Sequence, residues 1–361
     1  MRRASEQIPW KVTDISLRPY AHFWSFNPSI HFDGKLWRCS LRCADYCMRD
    51  GETIRSSRSV SGESWSKNAM VIFDPNSWKP VEIYKMRERD GLARVSCASM
   101  GYEDIRIFQT AKGGFQGIAA SLHLWRGDRV RNRFAEQVLL SFDAEYNVVQ
   151  AKPIRGPSWG GLPQKNWVPF DDCVEPCFLY SIGEGRLFDE HGPLTMDGFA
   201  VAASPHTRPA LPEPNENARR KARRRALEIL RDLAVEEPRR SRDKMGDESG
   251  SSSVRQAFED LRGGTQLVRV GTEGWLGIGH KMKFVNRKKL YWHVWYLVDA
   301  RGKVTAASLP MKLAPHGIEF AAGMGVDGDR IVVSFGVDDM ECKIGETRLS
   351  AVLNILQEIG D

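Results

Sequence analysis

Ile30-His31-Phe32-Asp33-Gly34-Lys35-Leu36-Trp37-Arg38 reads as a strand, a tight Asp-Gly turn and a second strand. Aspartate followed by glycine supplies the left-handed backbone that a short hairpin needs, and the flanking residues are apolar, aromatic or β-branched as strands are. The same pattern recurs along the chain. Ile105 to Ala120 turns at Lys112-Gly113-Gly114, and Gln137 to Gln150 turns at Asp143-Ala144-Glu145. Thr265 to His280 turns at Gly271-Thr272-Glu273-Gly274, Trp292 to Ala307 at Asp299-Ala300-Arg301-Gly302, and Gly323 to Gly336 at Asp327-Gly328-Asp329. Long helical periodicity is nearly absent from these stretches. Many short hairpins over roughly 300 residues suit a sandwich, a barrel or a propeller. A four-stranded blade takes about 40–60 residues. The hairpin count therefore favours an all-β fold, a five-bladed β-propeller with a helical, partly disordered insertion.

Composition agrees with a single large β domain over residues 1–361. Apolar residues make up 42% and charged residues 27%, the balance of a soluble globular chain. Eleven tryptophans lean weakly towards carbohydrate stacking, although core packing accounts for most tryptophans. Met1-Arg2-Arg3 is followed by Ala4-Ser5-Glu6-Gln7, where a secretory signal needs an apolar run. No stretch approaches the ~20 apolar residues of a membrane span. The seven cysteines are scattered, and neither Cys39-Cys43-Cys47 nor Cys173-Cys177 has zinc-ribbon spacing. They read as free thiols of a cytoplasmic protein, and no catalytic metal or organic cofactor is expected.

The net charge of +6 comes largely from one segment. Residues 206–258 interrupt the hairpins as a basic insertion. Pro209, Pro212 and Pro214 lead in, Asn215 caps a helix running to about Val235, and Pro238 stops it. Arg219, Arg220, Lys221, Arg223, Arg224 and Arg225 form a dense basic run, beside a thin apolar stripe of Leu227, Leu230 and Ala234. Ser241 to Ser253 reads as disordered. The basic run either contacts an anionic partner or is a solvated helix face; no aromatic residues interleave with it, which argues against single-stranded nucleic acid.

Polar clusters stand at the hairpin ends. They are Asn27-Pro28-Ser29 with Arg38 and Arg42 on the returning strand, Tyr102-Glu103-Asp104-Ile105-Arg106, and Lys165-Asn166-Trp167-Val168-Pro169-Phe170. Gly263-Gly264-Thr265-Gln266 with Gly274-Trp275-Leu276-Gly277-Ile278-Gly279-His280 follows, then Glu319-Phe320-Ala321-Ala322-Gly323 and Phe335-Gly336-Val337-Asp338-Asp339. Each alone is ordinary turn chemistry. In a propeller the innermost strand of every blade faces one central funnel, so one cluster per blade would converge on one pocket. Strand alternation places Asp104 and Arg106 on one face and Glu103 on the other.

Taken in order, these motifs resemble glycoside hydrolase family 130, five-bladed β-propellers that include β-mannoside phosphorylases and β-mannosidases, and the related β-1,2-mannosyltransferases. The resemblance runs from about Asn27 to Ile344 without the insertion. It implies that Asp104 is the general acid and that Asn27, Arg42, Arg106, Lys165, Asn166, His280, Glu319 and Asp339 bind an oligosaccharide or sugar substrate. The chain departs from the family at Ile105, where a proline is usual, at Phe178-Leu179-Tyr180-Ser181, which lacks the phosphorylase arginine, and at Lys281 after His280. Inorganic phosphate and a sugar nucleotide therefore both stay open as co-substrates.

The residues bear the same chemistry independently. Inverting glycosyl transfer needs an acid on the leaving oxygen and a nucleophile on the opposite face. Phosphate would need cations, water would need a second carboxylate (Glu319, Asp338 or Glu175), and a sugar nucleotide would need basic residues such as Lys165, Lys281, Lys283 and Arg287. Trp167 and Tyr102 are the aromatics beside which Asp104 could keep a proton; Trp167 and Trp275 could stack on a sugar, with core packing fitting Trp275 at least as well because it lies within an apolar strand. The plain alternatives are a structural Asp104–Arg106 salt bridge and a carbohydrate-binding propeller without catalysis.

Overall fold

A computed structural model describes residues 2–3, 7–49, 52–56, 65–89, 101–110, 114–124, 133–154, 166–183, 185–195, 198–199, 213–233, 261–272, 274–285, 288–314 and 317–359. Among them the chain is mostly antiparallel sheet, in a propeller-like arrangement. Trp24–Phe32, Trp37–Ala44, Ser66–Phe73 and Pro80–Lys85 form the first four-stranded sheet, paired in chain order. Tyr102–Thr110, Gly114–Leu124, Arg133–Phe142 and Val148–Ile154 form the second, and Val168–Pro169, Cys177–Ser181, Arg186–Asp189 and Pro193–Leu194 the third. Glu319–Asp327, Arg330–Val337 and Glu341–Arg348 belong to the last, whose outer strand is the N-terminal Lys11–Asp14. Joining the start of the chain to its last sheet gives the outer edge of Glu341–Arg348 a partner.

The expectation of five four-stranded blades needs correction. Four sheets are regular four-stranded blades, and the stretch between the third and the last is an eight-stranded sheet. Its centre is the long hairpin Gly274–Val285 with Lys288–Val298. Arg262–Gly263 and Val268–Val270 pair with one side of that hairpin, and Val304–Ala307 and Met311–Lys312 with the other. The chain ends then add to it: Arg2–Arg3 pairs with Met311–Lys312, and Gln357–Glu358 with Val304–Ala307. Hairpin counting cannot foresee strands recruited from the termini.

The turns repeat one device. Asp33 Oδ1 accepts the backbone N–H groups of Lys35 and Leu36 at 2.8 and 2.7 Å. Asp74, Asp143, Asp189 and Asp299 open their turns likewise, each carboxylate accepting N–H groups two to four residues on. An aspartate that bonds its own following backbone competes with strand pairing and ends it.

The inner strands pack around the axis at very short range. Ile107 N donates to Ser29 Oγ, Gln109 N to Asp171 Oδ1, and Leu267 N to Pro169 O. Gln266 Nε2 reaches Ile30 O at 2.7 Å, and Gln266 Oε1 accepts Met324 N at 3.1 Å. Gly323 permits this closeness, since a Cβ there would lie 2.0 Å from Ile30 N. Neither tryptophan offered for sugar stacking is exposed, and Trp275 takes the core position that its apolar strand allowed. Trp167 is fully buried against Phe178, Tyr180 and Phe188, and Trp275 packs on Phe170 and Phe199 with its indole N–H on Asp171 O.

The insertion helix spans Glu216–Leu233, capped by Asn215 Oδ1 on Ala218 N at 2.9 Å. It lies along the outer strand Pro80–Lys85 of the first sheet. The buried face is Ala222, Ala226 and Ile229 rather than the stripe expected, for Leu227 is 69% exposed and Ala234 lies outside the described residues. Small alanines let the helix approach the strand closely, while Arg223 pairs with Glu82 at 3.0 Å and Arg225 Nη1 donates to Ile83 O at 2.7 Å. Arg219 and Arg225 are half-buried, while Arg220, Lys221, Arg223 and Arg224 remain exposed. A covered edge strand also no longer offers its backbone for aggregation. Ser241 to Ser253 lies outside the described residues. Among the described residues no helix is long and apolar enough to cross a membrane, and the six described cysteines are buried.

Candidate active site

Three inner strands carry a bulge at a comparable place. In Trp24–Phe32 the register slips between Phe26 and Ser29, around Asn27. In Tyr102–Thr110 it slips opposite Ile118 to Ala120, so that Asp104 and Ile105 face the single residue Ala119. In Glu319–Asp327 it slips between Ala321 and Gly323. An extra residue bends the strand and re-aims side chains. Asn27 and Asp104 accordingly have φ of 47° and 52°, and Asn166, Asp338 and Asp339 have 67°, 52° and 49°. Left-handed backbone is uncommon outside glycine, and asparagine and aspartate tolerate it best. Such strained positions gather at functional sites.

The bulge overturns the alternation argument for Glu103. Both acids reach the same guanidinium: Arg42 Nη2 lies 3.0 Å from Glu103 Oε1, and Arg42 Nη1 lies 3.2 Å from Asp104 Oδ1. Asn27 Nδ2 donates to the same Asp104 oxygen at 2.9 Å. Arg42 also donates to Ser66 Oγ and Tyr46 Oη, and its guanidinium lies over the Phe26 ring. Burial works against the Arg42 charge, but Glu103, Tyr46, Asp104 and Asp339 together hold its pKa well above the usual arginine value. Arg106 has other work. Its Nε donates to Gly264 O and its Nη2 to Asn166 Oδ1 at 2.9 Å, tying the second sheet to the third and the eight-stranded sheet. Burial lowers the pKa of Arg106 to about 10, with Asp104 and Tyr296 acting in the other direction.

Asp339 completes the charge cluster. Burial lifts its pKa to about 6; Arg42 pulls it down, and Asp104, Glu103 and Asp338 push it up. Tyr291 and Tyr46 line the same region, both held above the usual tyrosine value by burial first and by Asp339 and Asp104. His280 stacks on Tyr291 at 5.4 Å between ring centroids and meets the edge of Phe320 at 5.1 Å. Burial, with Arg106 and Arg262 nearby, drives its pKa down to about 3, so His280 is a neutral wall of the site.

The structure thus brings together Asn27, Arg42, Asp104, Arg106, Asn166, His280 and Asp339. Lys165 and Arg287 lie outside the described residues. Glu319 is not placed to touch a ligand: it is 0% exposed. Its Oε2 accepts Leu313 N at 2.5 Å, Lys312 Nζ stands 3.4 Å from Oε1, and His293 Nδ1 is 3.6 Å from Oε2. It braces the loop after Met311–Lys312. Asp338 accepts Ile318 N at 2.7 Å and so holds the strand entry. Glu175 follows Asp171 in the loop joining the first two strands of the third sheet. Tyr46, Ser66, Tyr291 and Phe320 escaped the sequence reading. Only Phe320, next to Glu319, stood inside a cluster; the others lie in strands where nothing marks a tyrosine or serine as inward.

Glu319 gives a stability prediction. Burial raises its pKa from 4.5 to about 7, against the pull of Lys312 and the Leu313 and Ala314 N–H groups. The folded chain then keeps a proton that the unfolded chain has lost between those values, so stability falls as pH rises through that window and levels off above it. At about 1.4 kcal/mol per unit the share is on the order of 3 kcal/mol. Asp339, raised from 3.8 to about 6, adds a loss of the same sign. Urea midpoints measured from pH 4 to 8 should fall in the wild type and fall less in Glu319→Gln; parallel curves would refute the assignment.

No family model and no curated protein matches the chain. Solved structures do. A protein of Parabacteroides distasonis described as a glycoside hydrolase superposes with a TM-score of 0.51 at 12% identity, over 90% of this chain and 87% of that one. A glycoside hydrolase family 130 structure superposes at 0.50 and 13% identity, over 91% and 85%; that family of mannoside phosphorylases contains hydrolases that target β-1,2-mannosidic linkages in Candida mannan. The β-1,2-mannobiose phosphorylase of Listeria innocua gives 0.48 at 14% identity, over 93% of both chains. The first two place this chain in the same overall fold along nearly its whole length.

Proposed function

We propose that this chain is a carbohydrate-active enzyme that cleaves or transfers β-mannosidic or closely similar glycosidic bonds with inversion, and that Asp104 is its general acid. One observation carries the reading: Asn27, Asp104 and Asp339, all in left-handed backbone, come from different sheets to one cluster around Arg42. Two carboxylates, Glu103 and Asp104, pair with that guanidinium, and burial holds the pKa of a third carboxyl group, Asp339, up to about 6. A sugar that closes the funnel excludes water and so favours the neutral, protonated form of Asp104. Asp104 then passes the proton to the leaving oxygen as the glycosidic C–O bond breaks. Asp339, ionised, accepts the proton of the incoming hydroxyl on the other face.

The mechanism itself favours one class of nucleophile. With Asp104 protonated, Glu103 and Asp339 balance Arg42 and Arg106, whose charge its neutral partners Gly264 O and Asn166 Oδ1 leave in place. Asp339 supplies water or a sugar hydroxyl with the base that phosphate would not need. The test is to incubate the protein with mannobiose alone, with mannobiose and phosphate, and with GDP-mannose and a mannose acceptor. Mannose release in the first mixture, falling as pH drops below the Asp339 pKa of about 6, is expected. Mannoside binding with no turnover in any mixture would replace the enzyme by a carbohydrate-binding propeller.

A further inference from the structure

A second charged cluster lies on the first sheet, away from the Arg42 carboxylates. Lys67 lies in Ser66–Phe73 between Ser66, whose hydroxyl meets Arg42, and Asn68, whose amide bonds Tyr102 O. Strand alternation sends the Lys67 side chain out by the opposite face. There its Nζ sits 4.9 Å from the Phe23 ring centroid and 5.3 Å from that of Tyr20. Lys85 Nζ sits 4.9 Å from the same Tyr20 ring, which is anchored by its hydroxyl on Asn68 O at 2.8 Å. The insertion helix adds Arg225, held by Ile83 O, and Arg87 follows two residues after Lys85. Burial, then Arg225, Lys67 and Arg87, depress the pKa of Lys85, so the four charges feel one another.

Among the described residues no carboxylate forms an ion pair with any of these four. The nearby acids are used elsewhere: Glu228 pairs with Arg224 at 2.9 Å, and Glu82 takes Arg219 and Arg223. Solvated surface cations normally spread apart or find acids. Here two ammonium groups are ordered against one aromatic ring and a guanidinium is pinned beside them, an arrangement that repels itself until an anion arrives. A carboxylate monoanion would balance one of the four. Phosphate oxygens carry more charge and accept several N–H donors at once.

We propose that Lys67, Lys85, Arg87 and Arg225, gathered about Tyr20 where the insertion helix meets the first sheet, form a binding site for a ligand carrying a diphosphate or clustered phosphate groups. The site is independent of the glycosidic chemistry proposed for the funnel, and it gives the insertion a function: the helix supplies one of the four cations. The phosphates can belong to a soluble ligand or to a lipid headgroup, and two probes separate them.

The experiment is calorimetric titration of the full chain with inorganic pyrophosphate at low ionic strength, alongside sedimentation with phosphatidylcholine vesicles containing phosphatidic acid. Pyrophosphate binding that weakens at least about tenfold in Lys67→Gln/Lys85→Gln, and weakens with added salt, supports a soluble ligand. Vesicle binding lost in the same variant, without pyrophosphate binding, supports a headgroup. The double variant should fold and keep its glycosidase rate. Equal pyrophosphate affinity in wild type and variant, or no binding of either probe, overturns the site. Neither result bears on mannoside turnover, so the two readings fail separately.

Discussion

Asp104→Asn should lower turnover of mannobiose by about 10²–10⁴-fold, the usual contribution of a general acid, with KM little changed. Asparagine is the variant that isolates the proton. It tolerates the φ of 52°. Its side-chain oxygen can still accept from Asn27 Nδ2 and Arg42 Nη1, which now meet at Asp104 Oδ1 at 2.9 and 3.2 Å. Arg42 keeps Glu103 at 3.0 Å, so the guanidinium is not stranded. What is lost is a group that can carry and release a proton beside the leaving oxygen. A second readout follows from the coupling. Asp104 pushes the Asp339 pKa upward, so its removal as a charge should move the pH profile of the residual activity down from about 6. Wild-type turnover in Asp104→Asn would end the assignment. Loss of rate with an unshifted profile would keep Asp104 but remove Asp339 from the cluster.

Gly323→Ala should unfold the chain or destabilise it by more than about 4 kcal/mol, the range reached when an added group has nowhere to go. The new Cβ would stand 2.0 Å from Ile30 N and 2.6 Å from Ser29 C and Cα. These are backbone atoms of the first sheet's inner strand, so no side-chain rotation relieves the clash. Ile30 N is also fixed by Ser334 Oγ at 2.9 Å. The strands that would separate are those placing Asn27 on one side and Phe320 on the other, so any folded fraction should have a disturbed site. Gly328→Ala is the control: its φ of +61° strains alanine, but a Cβ there meets nothing within 4 Å. It should cost about 1–2 kcal/mol. Denaturant midpoints of the two variants test this, and similar losses would show that the inner strands can separate.

The insertion shows what local pattern can and cannot read. Asn215 as the cap and the helix after it were legible, because capping chemistry is local to four residues. The buried face was not. Leu227 looked like core and is exposed, while Ala222 and Ala226 are buried. The helix must lie close against Pro80–Lys85, so small residues go inside there, and that need belongs to a partner strand far away in sequence.

For the site the division is similar. The hairpins and their aspartate-led turns were determined by the sequence itself, because each turn closes through hydrogen bonds over two to four residues. The identity of the polar clusters holding Asn27, Asp104, Asn166 and Asp339 was legible too, since asparagine and aspartate at strand ends are the residues that accept left-handed backbone. Which groups meet was decided only by tertiary structure. Asp104 pairs with Arg42 of the neighbouring sheet because a bulge opposite Ala119 re-aims it, and a bulge changes direction without changing composition. Glu319, an acid in the right motif, is enclosed by Leu313, Lys312 and His293 and braces a loop. Burial and long-range pairing are properties of the closed ring of sheets. They separate carboxyls that share a charge cluster from carboxyls that hold the fold.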